Sequence, residues 1–75
     1  MRKPNFIQSL FIKHYFKART RLIEKALSNN HYVVTTLYAQ RYMFAINYED
    51  VDPWIAELER IGYKLCVVNN IIFIW

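Results

Sequence analysis

The sequence contains very little cysteine, glycine and proline. Among 75 residues there are one cysteine, one glycine and two prolines. A single cysteine excludes an internal disulfide or a zinc site built from several cysteines, so we expect a reducing compartment and a cytoplasmic protein. A single glycine excludes a glycine-rich phosphate loop. With 55% hydrophobic and 17% aromatic residues, the chain has the composition of one folded domain over residues 1–75.

Side chains that could form a catalytic or metal site are few and scattered. The two histidines, His14 and His31, lie in separate segments, and no serine lies in a nucleophile motif. Glu49, Asp50 and Asp52 could form a metal-binding cluster, but we expect Asp52 to cap a helix instead. The sequence therefore favours a protein that is not an enzyme and that has no cofactor or metal site.

Acidic residues are almost missing from the first third of the chain. Residues 1–25 contain seven lysines and arginines and one glutamate, whereas residues 26–75 contain three basic and five acidic residues. This segregation indicates an anionic partner: nucleic acid, an acidic protein or a membrane surface. A membrane surface is the least favoured, because the later helix and strands need a core to pack on. The N-terminal segment lacks the uninterrupted apolar run of a signal or a membrane span.

A long basic helix is predicted at residues 5–28. Asn5 and Gln8 have the spacing of a capping box, and the asparagines after Ser28 can end the helix. Apolar residues recur at the helical period, at positions 7, 11, 15, 18, 22 and 26. We favour one helix, straight or bent. The alternative is a break near Arg19, with Thr20 capping a second helix.

A first pair of strands is predicted at residues 31–38 and 41–48. Both segments are rich in β-branched and aromatic residues, and a short connector separates them. In the second strand, Tyr42, Phe44 and Tyr48 fall on one side by simple alternation. That side would stack unpaired bases if it were open, or pack under the helices if it were covered.

A second helix and a second hairpin follow. We expect Asp52 to cap the helix and Gly62 to end it. Asn69 and Asn70 form the tight turn of the hairpin, which needs positive φ angles that asparagine tolerates. Both sides of this hairpin are apolar, which places it either between two layers or at a subunit contact.

The order of elements is thus α-β-β-α-β-β. We predict a small two-layer α+β domain, with a four-stranded, mainly antiparallel sheet and helices on one face. Because so small a domain cannot hide all of its apolar surface, we also expect a homodimer.

The basic helix is the strongest candidate for a binding surface. Lysines and arginines recur about every four residues along it, and such side chains bind phosphate groups. We therefore predict a non-catalytic RNA- or nucleic-acid-binding protein. RNA is favoured over duplex DNA because the sequence has no helix-turn-helix or zinc-finger pattern. The predicted contact residues are Lys13, Lys17, Arg19, Arg21 and Lys25.

The alternative function is a protein-interaction module, such as a small inhibitor or antitoxin-like factor of viral or mobile-element origin that blocks a larger enzyme. In that case the basic helix would meet an acidic groove, and Trp54, Phe73 and Trp75 would be the aromatic anchors. A third interpretation is that the charged helix face only keeps an apolar domain dissolved.

Overall fold

Helices and strands alternate in short blocks along the chain. The computed structural model describes residues 3–75, and within them it contains three helices and four strands. In chain order these are α1 (Phe6–Ala18), α2 (Thr20–Ser28), β1 (His31–Thr36), β2 (Tyr42–Asn47), α3 (Val51–Ile61), β3 (Leu65–Val68) and β4 (Ile71–Ile74). The α+β class is therefore confirmed.

The N-terminal segment forms two helices, so the favoured single helix is wrong and the alternative break near Arg19 is confirmed. The capping box is confirmed, because Asn5 Oδ1 accepts a hydrogen bond from Gln8 N (2.8 Å) and Gln8 Oε1 accepts one from Asn5 N (3.0 Å). The buried residues of α1 are Gln8, Ile12 and Tyr15. One more turn of an unbroken helix would place Arg19 on this buried face. Burial of an unpaired guanidinium is costly, and the helix instead breaks at Arg19 (φ −125°, ψ 33°).

Two details of that prediction are wrong. In the first two turns of α1 the buried residues are Gln8 and Ile12, so Ile7 and Phe11 of the predicted stripe are exposed, whereas Tyr15 is buried as predicted. Thr20 does not cap α2, which begins with no side-chain cap. The Thr20 hydroxyl donates instead to the carbonyl oxygen of Phe16 (3.3 Å), at the end of α1.

The sheet is mixed, with the strand order β2-β1-β4-β3. Each hairpin is antiparallel as predicted, but the two central strands, β1 and β4, run parallel. Parallel neighbours require a crossover connection, and the segment from β2 through α3 to β3 supplies it. The prediction of a mainly antiparallel sheet is therefore met only in part.

The β3–β4 hairpin has the predicted turn and register. Asn69 and Asn70 have φ angles of 47° and 67°, and Val68 pairs with Ile71. These are the positive φ angles that a two-residue hairpin turn of this type requires.

Helices cover both faces of the sheet, so the prediction of two layers with helices on one face is wrong. α1 and α2 pack on the side that carries Val33 and Phe73. α3 packs on the other side, against Val34 and Ile72. Because successive residues of a strand point to opposite sides, the sheet is the middle of three layers. This explains why both sides of the β3–β4 hairpin are apolar.

α3 begins two residues earlier than predicted. Its N-cap is Asp50, which makes no side-chain capping bond, and Asp52 lies within the first turn. The prediction that Asp52 caps the helix is therefore wrong. Pro53 is tolerated beside it, because backbone N–H groups of the first turn have no partner within the helix. Gly62 ends the helix as predicted, with a φ of 116°.

Candidate nucleic-acid interface

The predicted phosphate contacts lie along α1, the helix break and α2. Four of them are exposed and form no salt bridge within residues 3–75: Lys13, Lys17, Arg21 and Lys25. Lys3 is also exposed, whereas Arg2 lies outside the described residues. These side chains are therefore available to an anionic ligand.

Arg19, the fifth predicted contact, is partly engaged by the protein itself. Its Nη2 donates to the carbonyl oxygen of Gln40 (3.2 Å). Its guanidinium carbon lies 5.7 Å from the centre of the Tyr15 ring, within the range of a cation–π interaction. Arg19 remains exposed, so it ties the helix break to the β1–β2 loop while keeping its charge at the surface.

A cleft of about 580 Å³ opens at the helix break. Its wall is formed by Lys17, Arg19, Thr20, Arg21 and Tyr42, together with the apolar side chains Ala18 and Leu22. Three of these residues are cationic, and among the described residues no acidic side chain lines the cleft. The uncapped start of α2 lies in the same place, and its free N–H groups add to the positive potential.

Most carboxylates are kept away from this surface by the sheet. Residues 48–61, which include α3, contain five acidic residues and one basic residue, and α3 packs on the opposite face. Glu57 there pairs with Arg60, whose Nε donates to Glu57 Oε2 (3.0 Å). That guanidinium lowers the pKa of Glu57, and the carboxylate raises the pKa of Arg60. On α1 and α2 the acidic residue is Glu24.

The aromatic platform predicted on β2 does not form. Phe44 packs edge-on against Trp54 of α3, with ring centres 5.5 Å apart. Tyr48 packs against Tyr32 (5.0 Å) and accepts a hydrogen bond from Asn70. Tyr42 leaves this group and lines the cationic cleft instead. Simple alternation along β2 could not find this position, because the strand register shifts between Tyr42 and Phe44.

The three predicted aromatic anchors differ in accessibility. Phe73 is fully buried and contacts the ring of Tyr15 (5.4 Å between centres). It is a core residue and has no exposed surface with which to contact a partner protein. Trp54 and Trp75 are partly buried and pack on opposite faces of the sheet, so the three residues do not form one surface.

Sequence reasoning missed an apolar groove beside α1. Leu10, Phe11, His14, Tyr38 and Gln40 line it, and its volume is about 520 Å³. The Phe11 and Tyr38 rings meet edge to face, with centres 5.3 Å apart. Phe11, which belongs to the stripe predicted to be buried, lines this groove together with Leu10. No helix within the described part of the chain is long and apolar enough to span a bilayer.

The Cys66 thiol is free and lies in the core. Burial raises the pKa of the Cys66 thiol, and a protonated thiol is a poor nucleophile. Among residues 3–75, no group of three or more histidine, cysteine, aspartate or glutamate side chains could hold a metal ion. No family profile matches the sequence, and no curated protein or solved structure shows significant similarity to it. The candidate interface is therefore defined by its own charge and geometry.

Proposed function

We propose that the protein binds nucleic acid, and RNA in preference to duplex DNA, through the surface formed by α1 and α2. The observation that carries this proposal is the separation of charge by the sheet. The helices α1 and α2 hold four basic residues and one acidic residue, and Arg19 lies at the break between them, whereas the acidic segment lies with α3 on the other face. A cationic surface that its own carboxylates do not neutralise attracts a polyanion and releases its counterions.

The surface offers two kinds of phosphate contact. Lys13, Lys17, Arg21 and Lys25 are exposed and can follow a backbone of variable shape. Arg19 is held by the Gln40 carbonyl and the Tyr15 ring, so it presents a charge in one orientation. Contacts to phosphate fix position without reading sequence. We therefore propose binding of low sequence preference that weakens steeply with salt.

A pair of matched double variants tests this proposal. Lys17→Gln with Arg21→Gln removes two charges from the cleft, and Arg60→Gln with Lys64→Gln removes two charges elsewhere. We expect the first variant to lose retention of a labelled RNA on a native gel at low salt, while the second retains it. Circular dichroism should show both variants folded. Equal retention by the two variants would contradict the proposal.

A protein-interaction module is the second candidate, and the groove beside α1 and the exposed apolar residues at the start of that helix favour it. Phe6, Ile7 and Leu10 are 79%, 61% and 53% exposed, which is unusual for three neighbouring large apolar residues. We propose a second copy of the chain as the occupant, in line with the expected homodimer. Light scattering tests this: Leu10→Ser should halve the apparent mass of a dimer, and a monomeric wild type would remove the idea. A partner protein retained from nuclease-treated lysate would instead favour the inhibitor-like alternative.

A cytoplasmic location is also proposed. Cys66 is a buried free thiol, and the chain has no second cysteine with which it could form an internal disulfide. Such a protein needs no oxidising compartment to fold. Fractionation of expressing cells, with the protein detected by antibody, would test this, and recovery from an oxidising compartment would contradict it.

A further inference from the structure

A register shift in the β1–β2 hairpin decides where Tyr42 points. Val34 pairs with Phe44, but Thr35, the next residue of β1, pairs with Tyr42. Met43 is therefore the extra residue of a β-bulge. Because paired residues share one side of a sheet, Phe44 faces α3 while Tyr42 faces α1 and α2. Bulges that redirect a side chain in this way are common beside binding sites.

Hydrogen bonds fix the loop that leads into Tyr42. Thr35 Oγ1 donates to the carbonyl oxygen of Arg41 (2.6 Å), the residue before Tyr42. Gln40 Nε2 donates to the carbonyl oxygen of Phe11 in α1 (2.6 Å). The Gln40 carbonyl also accepts the bond from the arginine at the helix break. These contacts hold the Tyr42 backbone at a set position relative to the cationic cleft.

The Tyr42 side chain is 51% exposed and lines the cleft beside Lys17 and Arg21. An aromatic ring next to cations is the arrangement that holds unpaired nucleotides: the ring stacks on a base and the cations contact the adjoining phosphate. Each such stack strengthens binding by roughly 5- to 150-fold. Bases in a duplex are stacked on each other and offer no free face to the ring.

We propose that this cleft binds an unpaired nucleotide, with its base stacked on Tyr42 and its phosphate held by Lys17 and Arg21. The proposal rests on the nucleic-acid binding proposed above and specifies its ligand as single-stranded. Simple alternation along β2 grouped Tyr42 with Phe44 and Tyr48 as possible base-stacking residues, whereas the bulge places Tyr42 alone on the side of the cationic cleft. RNA and DNA single strands share this chemistry, so both are included in the test.

Fluorescence anisotropy with labelled 12-nucleotide single strands of RNA and DNA, and with a 12-base-pair RNA duplex, tests the proposal. Tyr42→Leu should weaken binding to single strands roughly tenfold, by loss of one stacked base, and leave duplex binding within about twofold. Tyr42→Phe keeps the ring and should bind like the wild type. Tyr63→Leu is the matched control, since Tyr63 is 53% exposed but lies beside Gly62, after α3.

The outcomes separate the two proposals. If Tyr42→Leu binds single strands like the wild type, or weakens single strands and duplex equally, the nucleotide site is wrong while nucleic-acid binding stands. If the double variant Lys17→Gln with Arg21→Gln also binds all three ligands like the wild type, the proposed nucleic-acid-binding function is wrong as well. Wild-type protein that binds none of the three ligands would contradict both. Leucine is compatible with a β-strand, so Tyr42→Leu should retain β2, an edge strand of the sheet. Circular dichroism checks this.

Discussion

The two helical layers of this domain differ in charge and in packing. The layer of α1 and α2 is basic, and it packs around Tyr15 and Phe73, which are both fully buried. The layer of α3 is acidic, and Val51 is its one buried helical residue. Trp54, Ile55 and Leu58 are only partly buried there. The comparison shows that a central sheet lets a very small domain keep two surfaces of opposite charge, because each layer is shielded from the other.

The difference between the layers also suggests a division of roles. The basic layer combines the larger enclosed cluster with the proposed binding surface, so its cations project from a well-packed support. The acidic layer closes the other face of the sheet and gives the molecule a charge dipole that would orient it toward a polyanion. If the layers differ in these ways, matched substitutions in the two layers should have unequal effects.

Truncation of one aromatic residue in each layer tests the difference in packing. Phe73→Ala should lower the free energy of unfolding by about 3–5 kcal/mol, which is close to the whole stability of many small domains. Trp54→Ala should cost clearly less, because that side chain is already partly exposed. Urea denaturation measures both, and Phe73→Leu provides a variant that should remain folded. An equal or larger loss for Trp54→Ala would contradict the comparison.

The salt dependence of RNA binding tests the difference in charge. The plot of log K against log salt concentration has a negative slope, and the magnitude of this slope should decrease by about 0.7 for each phosphate contact that is lost with a single strand. Lys17→Gln with Arg21→Gln should therefore flatten the slope, whereas Arg60→Gln with Lys64→Gln should leave it unchanged. Slopes that change equally would mean that only the net charge matters and that the layers are equivalent.

A single arginine in each layer gives a smaller contrast. Arg19→Gln should destabilise the fold by about 1 kcal/mol, because Arg19 donates to the Gln40 carbonyl and lies against the Tyr15 ring. Arg60→Gln removes an exposed ion pair with Glu57, and such pairs contribute little. Thermal unfolding of the two variants should therefore shift only for Arg19→Gln. A larger shift in the unfolding temperature for Arg60→Gln would contradict the structural role assigned to Arg19.

Alkaline pH should lower the free energy of unfolding through Tyr15, which packs in the core beneath α1 and α2. Burial raises the pKa of Tyr15 above its ordinary value of 10.0, so the folded chain keeps the proton at a pH where the unfolded chain loses it. Stability is therefore complete below pH 10 and falls as the pH rises through the folded value. No atom of residues 3–75 meets hydrogen-bond geometry with the buried Tyr15 hydroxyl, although the nearby Thr35 side chain partly offsets the rise in the Tyr15 pKa. Tyr15→Phe should thus be neutral or stabilising by up to about 1 kcal/mol at pH 7.

The same substitution should also reduce the loss of stability above pH 10. Denaturant melts from pH 7 to pH 11 measure this, with Tyr63→Phe as the control because Tyr63 is exposed. A Tyr15→Phe protein that loses stability with pH as steeply as the control would show that Tyr15 is not the sensitive group.

Local features of the fold were predictable because neighbouring residues determine them. The capping box of Asn5 and Gln8, the end of α3 at Gly62 and the Asn69–Asn70 turn all formed as expected. The helix break could have been inferred from the buried spacing of α1, which would bring Arg19 to the sheet. That spacing was hidden because α1 carries apolar residues on its exposed side as well.

Features that depend on distant residues were not predictable. The parallel pairing of β1 with β4 has no turn to specify it. The crossover connection places α3 on the second face of the sheet. The sequence left this position open, because both sides of the β3–β4 hairpin are apolar. The β-bulge at Met43 has no clear sequence signal, and for that reason Tyr42 was assigned to the wrong side. The candidate cations were found, but the cleft that joins three of them was not.

The central claim, that the layer of α1 and α2 is the nucleic-acid-binding face, is tested most directly by NMR. A short single-stranded RNA would be titrated into ¹⁵N-labelled protein, and amide shifts would be followed residue by residue. We predict that the changes concentrate at residues 13–25 and at Tyr42, while amides of α3 and the Trp54 indole N–H stay unchanged. Shifts centred on α3, or no shifts at low salt, would contradict the claim.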